Sequence, residues 1–332
     1  MQQMQYDIIG DIHGHAALLL ELLSKLGYKE HSGTYHKDGH KVIFLGDLID
    51  RGDEQLETVR LVRRMCLSGD AVCLMGNHEF NALAYAKVRP DGQGYLREHS
   101  EKNYWQHHKF LNACGIKSAD DTHETDEYLE CLEFFKSLPM WLDLGTLRCV
   151  HACWNLSMMD CLLSHTDNSQ PYINDEILNL GSLERITPEG QRVHDTVYDA
   201  IECVLKGPEI RLPGDACFED KDGIRRTNMR VKWWANSAVT YREIAMLPGQ
   251  ESELIPDVPL DKSLLPVPYA DEVPVIIGHY WMPKEKKVDF ISEDNKVLCI
   301  DYSAGRNGPL TAYTYCRERE LSLDNVVQVF PD

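Results

Sequence analysis

The feature that most constrains this chain is a unit that occurs three times before residue 80: a short apolar run, a turn rich in Gly and Asp, then a stretch of helical period. Tyr6-Asp7-Ile8-Ile9 leads into Gly10-Asp11-Ile12-His13-Gly14 and a helical pattern over 16–26. Lys41-Val42-Ile43-Phe44-Leu45 leads into Gly46-Asp47-Leu48-Ile49-Asp50-Arg51-Gly52 and a helix over 54–66, and residues 71–75 lead into Gly76-Asn77-His78-Glu79. This alternation predicts an α/β sheet. Loops at such strand ends open on one crevice, where ligands collect, so the three polar turns are expected to converge.

The rest of the chain is less regular. Residues 91–126 are polar and weakly periodic, which suggests an insertion or lid; a helix is expected over 127–138, ended by Pro139, with strands near 141–144 and 147–152. A second variable stretch runs from Asn155 to about Arg230, with helical pieces and a Gly/Pro/Asp-rich loop over 207–223. Strands are expected at 273–278, 287–291, 296–302 and 310–316. No linker-like stretch intervenes, so the expectation is one domain over residues 1–332 with insertions at about 91–126 and 155–230.

Charge and cysteine usage exclude several classes. Lys and Arg total 34 against 53 Asp and Glu, a net charge of −19, and such a field repels polyanions. Nucleic acid and anionic membrane are not expected partners; a phosphorylated substrate needs a locally cationic site, which bound metal ions can supply. The eleven cysteines form no CxxC pair and sit in apolar stretches, which suits free thiols in a reducing, cytoplasmic setting. The first strand begins at Tyr6, so no leader segment is expected, and no apolar run approaches the ~18 residues of a membrane span.

Asp11 and His13 share one Gly-flanked turn, and Asp47 and Asn77 hold the equivalent places after the next two strands. His151 and His279 follow two later apolar runs. This oxygen and nitrogen donor set without thiolate suits manganese, iron or zinc in a catalytic site. Six donors exceed one tetrahedral ion, whereas a carboxylate bridging two ions about 4 Å apart uses them all.

Gly-Asp-Ile-His-Gly, Gly-Asp-Leu-Ile-Asp-Arg-Gly and Gly-Asn-His-Glu, in this order and 30 to 36 residues apart, resemble the signature of the calcineurin-like metallophosphoesterase superfamily. The variant is similar to the branch of serine/threonine phosphoprotein phosphatases and bacterial diadenosine tetraphosphatases. The resemblance implies an α/β fold, a metallophosphoesterase-type β-sandwich flanked by helices with helical insertions. It implies that Asp11, His13 and Asp47 hold a first metal, and that Asp47 bridges to a second completed by Asn77, His151 and His279. Many members end in Gly-His-x-His; here the last position is Trp281, which favours the phosphatase-like branch and leaves the first metal with fewer protein ligands.

By the same resemblance His78 and Asp50 act as an acid pair and Arg51 binds phosphate. A carboxylate on one ring nitrogen keeps an imidazole oriented and protonated, so that the other nitrogen can serve the leaving oxygen. Arg51 offers a planar fork of donors. Arg230, in a basic-aromatic run, is a second candidate cation; Trp233 and Trp234 are expected as core, and His99, His107 and His108 as a solvated helix face. The expected activity is dinuclear metal-dependent hydrolysis of phosphomonoesters, on protein or on a small molecule, by a metal-activated water, with two divalent ions, manganese foremost; a serine/threonine-type protein phosphatase is one form of it. The alternatives are a dinucleoside polyphosphate hydrolase and, from another class, an inactive binding module.

Overall fold

Successive residues of a strand point to opposite faces, so a run such as Val42-Ile43-Phe44 is stable only where both faces are covered. In the computed structural model, which describes the chain except residues 1–3, 122, 167–169, 220–224, 236, 248–252, 285–287, 289 and 332, that is where these runs lie. Ile8, Ile9, Val42, Ile43 and Phe44 have no exposed surface.

Strands β1 (Gln5–Ile9), β4 (His40–Phe44) and β5 (Ala71–Cys73) run parallel, with the hairpin β2 (Lys29–His31) and β3 (Thr34–His36) between the first two in sequence. On the other side of β1 lie β14 (Leu310–Tyr315) and then β15 (Val326–Val329), both antiparallel to their neighbours. A second sheet has β7 (Arg148–Val150), β12 (Val275–Ile277) and β13 (Val297–Cys299) parallel, and β6 (Trp141–Asp143) antiparallel at its edge.

Residues of both sheets enter one apolar cluster, the interior of the expected sandwich. The same cluster takes in one face of each flanking helix: α1 (Ala16–Lys25), α2 (Gln55–Ser68), α3 (Asn77–Ala86), α4 (Glu101–Ala113), α5 (Asp126–Lys136), α6 (Leu156–Leu163), α7 (Asp175–Ser182) and α8 (Val197–Lys206). Thr125, Asn155, Asn174 and Thr196 start four of them by accepting a backbone N–H of the first turn. A smaller cluster, including Ile210, Phe218, Met229, Tyr241 and Ile255, gathers around two ribbons, β8 (Glu209–Arg211) with β11 (Asn228–Arg230) and β9 (Phe218–Glu219) with β10 (Arg225–Arg226).

Two expectations need correction. The stretch 91–126 is not merely a polar lid: α4 buries Tyr104, His107, Phe110 and Leu111, and Tyr104, Phe110 and Leu111 belong to the main core. Its inward face does repeat every three to four residues, but a histidine holds one position and the surrounding polar residues mask the period. Part of the strand expected over 287–291 lies outside the described residues, and its remainder makes only an isolated bridge from Ile291 to Leu298. Trp233 and Trp234 are core, as their apolar character suggests. Among the described residues no helix is long and apolar enough to cross a membrane.

One buried charge ties the far end of the first sheet. Asp7 on β1 is fully buried and accepts from Thr314 Oγ1 at 2.6 Å, Tyr28 Oη at 2.9 Å, His40 Nδ1 at 2.9 Å and Lys37 Nζ at 3.2 Å. Asp7→Ala leaves these donors without their acceptor, and we expect urea unfolding to report a loss of about 2–4 kcal/mol. Activity per folded molecule should be unchanged, because the site described next begins beyond the carboxyl end of β1 and none of the four donors to Asp7 belongs to it.

Candidate metal centre

Each residue of the site leaves the carboxyl end of a strand. Asp11 and His13 follow β1, Asp47 to Arg51 follow β4, Asn77 and His78 open α3 after β5, His151 follows β7, and His279 follows β12. The loops turn sharply: His13, Asp47, Asp50, Arg51, His279 and Trp281 all have φ between 50° and 73°. Side chains rarely adopt this region, which costs roughly 1–2 kcal/mol per residue. Two glycines allow the close approach of neighbouring loops. A Cβ on Gly278 would stand 2.1 Å from Asp11 Oδ1, and one on Gly46, at φ 99°, would stand 2.4 Å from the Gly76 nitrogen.

The carboxylates and imidazoles are aimed by bonds made from behind. His13 Nδ1 donates to the Ile49 carbonyl and His151 Nδ1 to that of Leu45, each at 2.8 Å, so both rings turn Nε2 toward Asp47. The Asp47 Oδ2 atom lies 3.7 Å from His13 Nε2, 3.4 Å from His151 Nε2 and 3.8 Å from His78 Nε2. Asn77 Oδ1 lies 2.7 Å from His279 Nδ1 and 3.2 Å from His151 Nε2. The His279 N–H donates to Asp11 Oδ2 at 3.0 Å, and the His78 N–H to Asp47 Oδ1 at 2.9 Å.

Four polar atoms that this scaffolding leaves over, Asp11 Oδ1, His13 Nε2, Asp47 Oδ2 and His279 Nε2, are buried with no hydrogen-bond partner. Buried lone pairs without donors are costly, and cations satisfy them. Two overlapping triads, His13–Asp47–His78 and Asp47–His151–His279, have donor atoms within 4.8 Å of one another, and Asp47 belongs to both. The donor set therefore fits a pair of cations sharing one carboxylate.

The electrostatics of the protein alone show the same need. Burial, with Asp301 beside it, pushes the Asp11 carboxyl well above its ordinary value. Burial and the neighbouring His78 lower His13 to about 3. Burial also works against a charged His151, but Asp47 and Asp11 outweigh it and push it up to about 10. Burial and the Arg230 charge hold His279 well below the usual imidazole range.

All six expected metal donors come together with His78 and Asp50, which pair at 2.5 Å between His78 Nδ1 and Asp50 Oδ2. Arg51 is exposed at the rim with its guanidinium 5.4 Å from the Trp281 ring centre. Arg230 is close enough to His279 to perturb it, while its Nε donates to the Lys206 carbonyl at 2.7 Å.

The sequence reading missed three contributors. Glu79 accepts the backbone N–H groups of Asp47 and Leu48 at 2.8 Å and of Gly76 at 3.1 Å, clamping two loops; burial and the Asp47 charge push it up to about 7. Asp301, after β13, accepts from the Trp281 and Ser303 amides, and Asp in an otherwise apolar run was its only signal. His107 is the third, and here the expectation of a solvated face is wrong: it is buried and its Nδ1 lies 2.7 Å from Asp50 Oδ1. His99 is also partly covered, stacked between Tyr85 and Tyr95 at 3.9 and 3.8 Å.

A family model described as calcineurin-like phosphoesterase matches residues 4–198, more than half of the chain. The chain belongs to this family. Among relatives of this calcineurin-like phosphoesterase are two proteins named bis(5'-nucleosyl)-tetraphosphatase PrpE [asymmetrical]. One, from Halalkalibacterium halodurans, is 50% identical over 76 residues, 23% of this chain and 31% of its own length. The other, from Bacillus velezensis, is 30% identical over 152 residues, 45% of this chain and 56% of its own. The matches thus span about a third to just over half of these relatives. A protein serine/threonine phosphatase from Saccharomyces cerevisiae aligns over 100% of this chain and 81% of its own with a TM-score of 0.49 and 14% identity.

Proposed function

We propose that this calcineurin-like phosphoesterase hydrolyses phosphomonoesters with two divalent cations held by Asp11, His13, Asp47, Asn77, His151 and His279. The observation that carries the reading is Asp47, whose Oδ2 stands between His13 and His151, buried and with no hydrogen-bond partner. When bound, two such cations lower the pKa of a water and draw charge from the phosphoryl oxygens. The carboxylate and amide oxygens suit manganese and the imidazoles suit iron or zinc, and manganese is taken as the first choice.

The protein's own groups do the rest. Asp50 holds the Nδ1 side of His78, which leaves Nε2 facing Asp47 and the reacting space. Burial opposes a charged His78, but the Asp47 and Asp50 carboxylates raise its pKa, and Asp50 on Nδ1 orients the ring to serve the leaving oxygen from Nε2. Arg51 at the rim presents two donors to the non-bridging oxygens of a terminal phosphate, and Arg230 is the second cation. A cytoplasmic setting accords with eleven cysteines that form no disulfide.

A second reading, hydrolysis of dinucleoside polyphosphates, is favoured by one observation. The Arg306 guanidinium lies 5.1 Å from the same Trp281 ring that Arg51 approaches, so two guanidiniums gather beside the centre where a chain of phosphates would engage both. The names of the relatives point the same way.

Three outcomes test these assignments. Asp47→Asn should lose bound metal and turnover together, measured by elemental analysis and phosphate release; a variant that retains both ions and normal turnover removes the shared-carboxylate assignment. His78→Asn should retain the metals and slow the reaction by about 10²–10⁴-fold on an alkyl phosphate, and much less when the leaving group is nitrophenolate. Arg51→Ala should lower kcat/KM for a nitrophenyl monoester more than for the matched diester. A parent enzyme that prefers the diester sinks the phosphomonoester reading, and one that prefers diadenosine tetraphosphate over every monoester installs the second reading.

A further inference from the structure

Asp50 has two carboxylate oxygens, and its partner His78 uses only one. Oδ2 meets His78 Nδ1 at 2.5 Å, and Oδ1 meets His107 Nδ1 at 2.7 Å. His107 comes from α4, outside every motif of the sequence, yet it is 3% exposed beside an Asp50 that is 2% exposed. We infer that His107 is a positioning residue, which fixes the plane of the Asp50 carboxylate so that Oδ2 points at His78. The inference rests on the assignment of His78 as the proton donor to the leaving group.

A carboxylate held at one oxygen swings about its Cβ–Cγ bond, and its partner imidazole swings with it. A second donor on the other oxygen removes that freedom. The loop beneath is fixed separately: the Asp50 N–H donates to Gln55 Oε1 at 2.7 Å, and Gln55 Nε2 donates to the Gly52 carbonyl at 2.8 Å. Thus α2 holds the backbone at Asp50 and α4 holds its side chain.

The surroundings of His107 argue that this bond is why an imidazole stands there. The face of α4 that turns inward is otherwise Tyr104, Phe110 and Leu111, and the His107 ring lies 5.1 Å from Phe110 and 5.8 Å from Tyr85. Its Nε2 is buried without a hydrogen-bond partner, so among the described residues the bond to Asp50 is what compensates the burial of this polar ring. An apolar residue would satisfy the packing alone. Burial would raise the Asp50 carboxyl, but His107 and then His78 overcome it and hold Asp50 ionised, the state in which it accepts from both rings.

The test compares His107→Leu, which keeps volume without the donor, with His107→Asn, whose amide nitrogen falls where Nδ1 stood. His78→Asn serves as reference in the same assays. In His107→Leu the metal content and KM should match the parent, while kcat on an alkyl phosphate falls by about 10²-fold and kcat on nitrophenyl phosphate falls far less. His107→Asn should recover most of the loss. Equal losses for both leaving groups, no loss, or no recovery by Asn overturns the positioning role. If His78→Asn itself shows no dependence on the leaving group, the acid assignment falls and the role of His107 with it; if only His107→Leu lacks it, the acid assignment stands and this inference alone fails. A reading that needs no variant to fold comes from ¹⁵N-histidine NMR of the parent protein. His107 should carry its proton on Nδ1, and a ring protonated on Nε2 alone overturns the inference.

Discussion

The structure turns on the burial of three carboxylates, Asp11, Asp47 and Asp301, each 1% exposed; Asp301 and Asp47 push Asp11 upward, and Asp47 pushes Asp301 upward. Taking an ion out of water costs several kcal/mol, and like charges compound the cost. The loops divide the work by oxygen. Asp11 Oδ2 and Asp47 Oδ1 each accept a backbone N–H, from His279 and His78, while Asp11 Oδ1 and Asp47 Oδ2 have no hydrogen-bond partner. Asp301 turns both oxygens to amides and keeps none for the centre. Sequence order alone would not separate these roles; the direction of the backbone N–H groups does.

That division requires loops that bend more tightly than most side chains allow. The positive φ values of His13, Asp47, Asp50, Arg51, His279 and Trp281 are concentrated in the turns that carry the site. Strain of this kind persists only where the surroundings over-determine it. Here they do: Glu79 clamps the Asp47 turn to the Gly76 turn through three amides, Gln55 holds Asp50, and each strand ends in a buried residue, Ile9, Phe44, Cys73, Val150 or Ile277, at the root of its loop. A rigid frame of donors is what a preorganised phosphoryl-transfer site requires, since little reorganisation remains to be done as charge develops.

What could be read from the sequence follows the range of each interaction. Strands β1, β4, β5, β6, β7, β12, β13 and β14 and the first helices carry local apolar periodicity, so their positions were legible to within a few residues, and the Gly-flanked Asp, His and Asn residues marked the strand ends. The hairpin β2–β3 and the edge strand β15 have exposed or half-exposed residues and left no such signal. His107 was misread because a histidine on a polar helix has no local mark of burial. Its partner Asp50 lies 57 residues away, and only the packing of α4 against α2 and the end of α3 brings them together.

The residue that departs from the family pattern shows how a lost ligand position can be reused. Trp281 stands where many members carry a second histidine, and its ring lies 5.2 Å from His13 at a tilt of 30°, covering the flank of the centre without offering a lone pair. Its backbone N–H is fixed by Asp301, and its face draws Arg51 and Arg306 to within 5.4 and 5.1 Å. Guanidiniums gather on an indole through its quadrupole, an attraction worth ~0.5–1 kcal/mol at exposed sites. In a protein of net charge −19 a phosphate meets repulsion at long range, so the approach depends on a compact positive rim. An aromatic ring at this place offers no lone pair to a cation but holds fixed positive charge beside the centre. Trp281 thereby gathers two guanidiniums at the flank of the centre, beside His13.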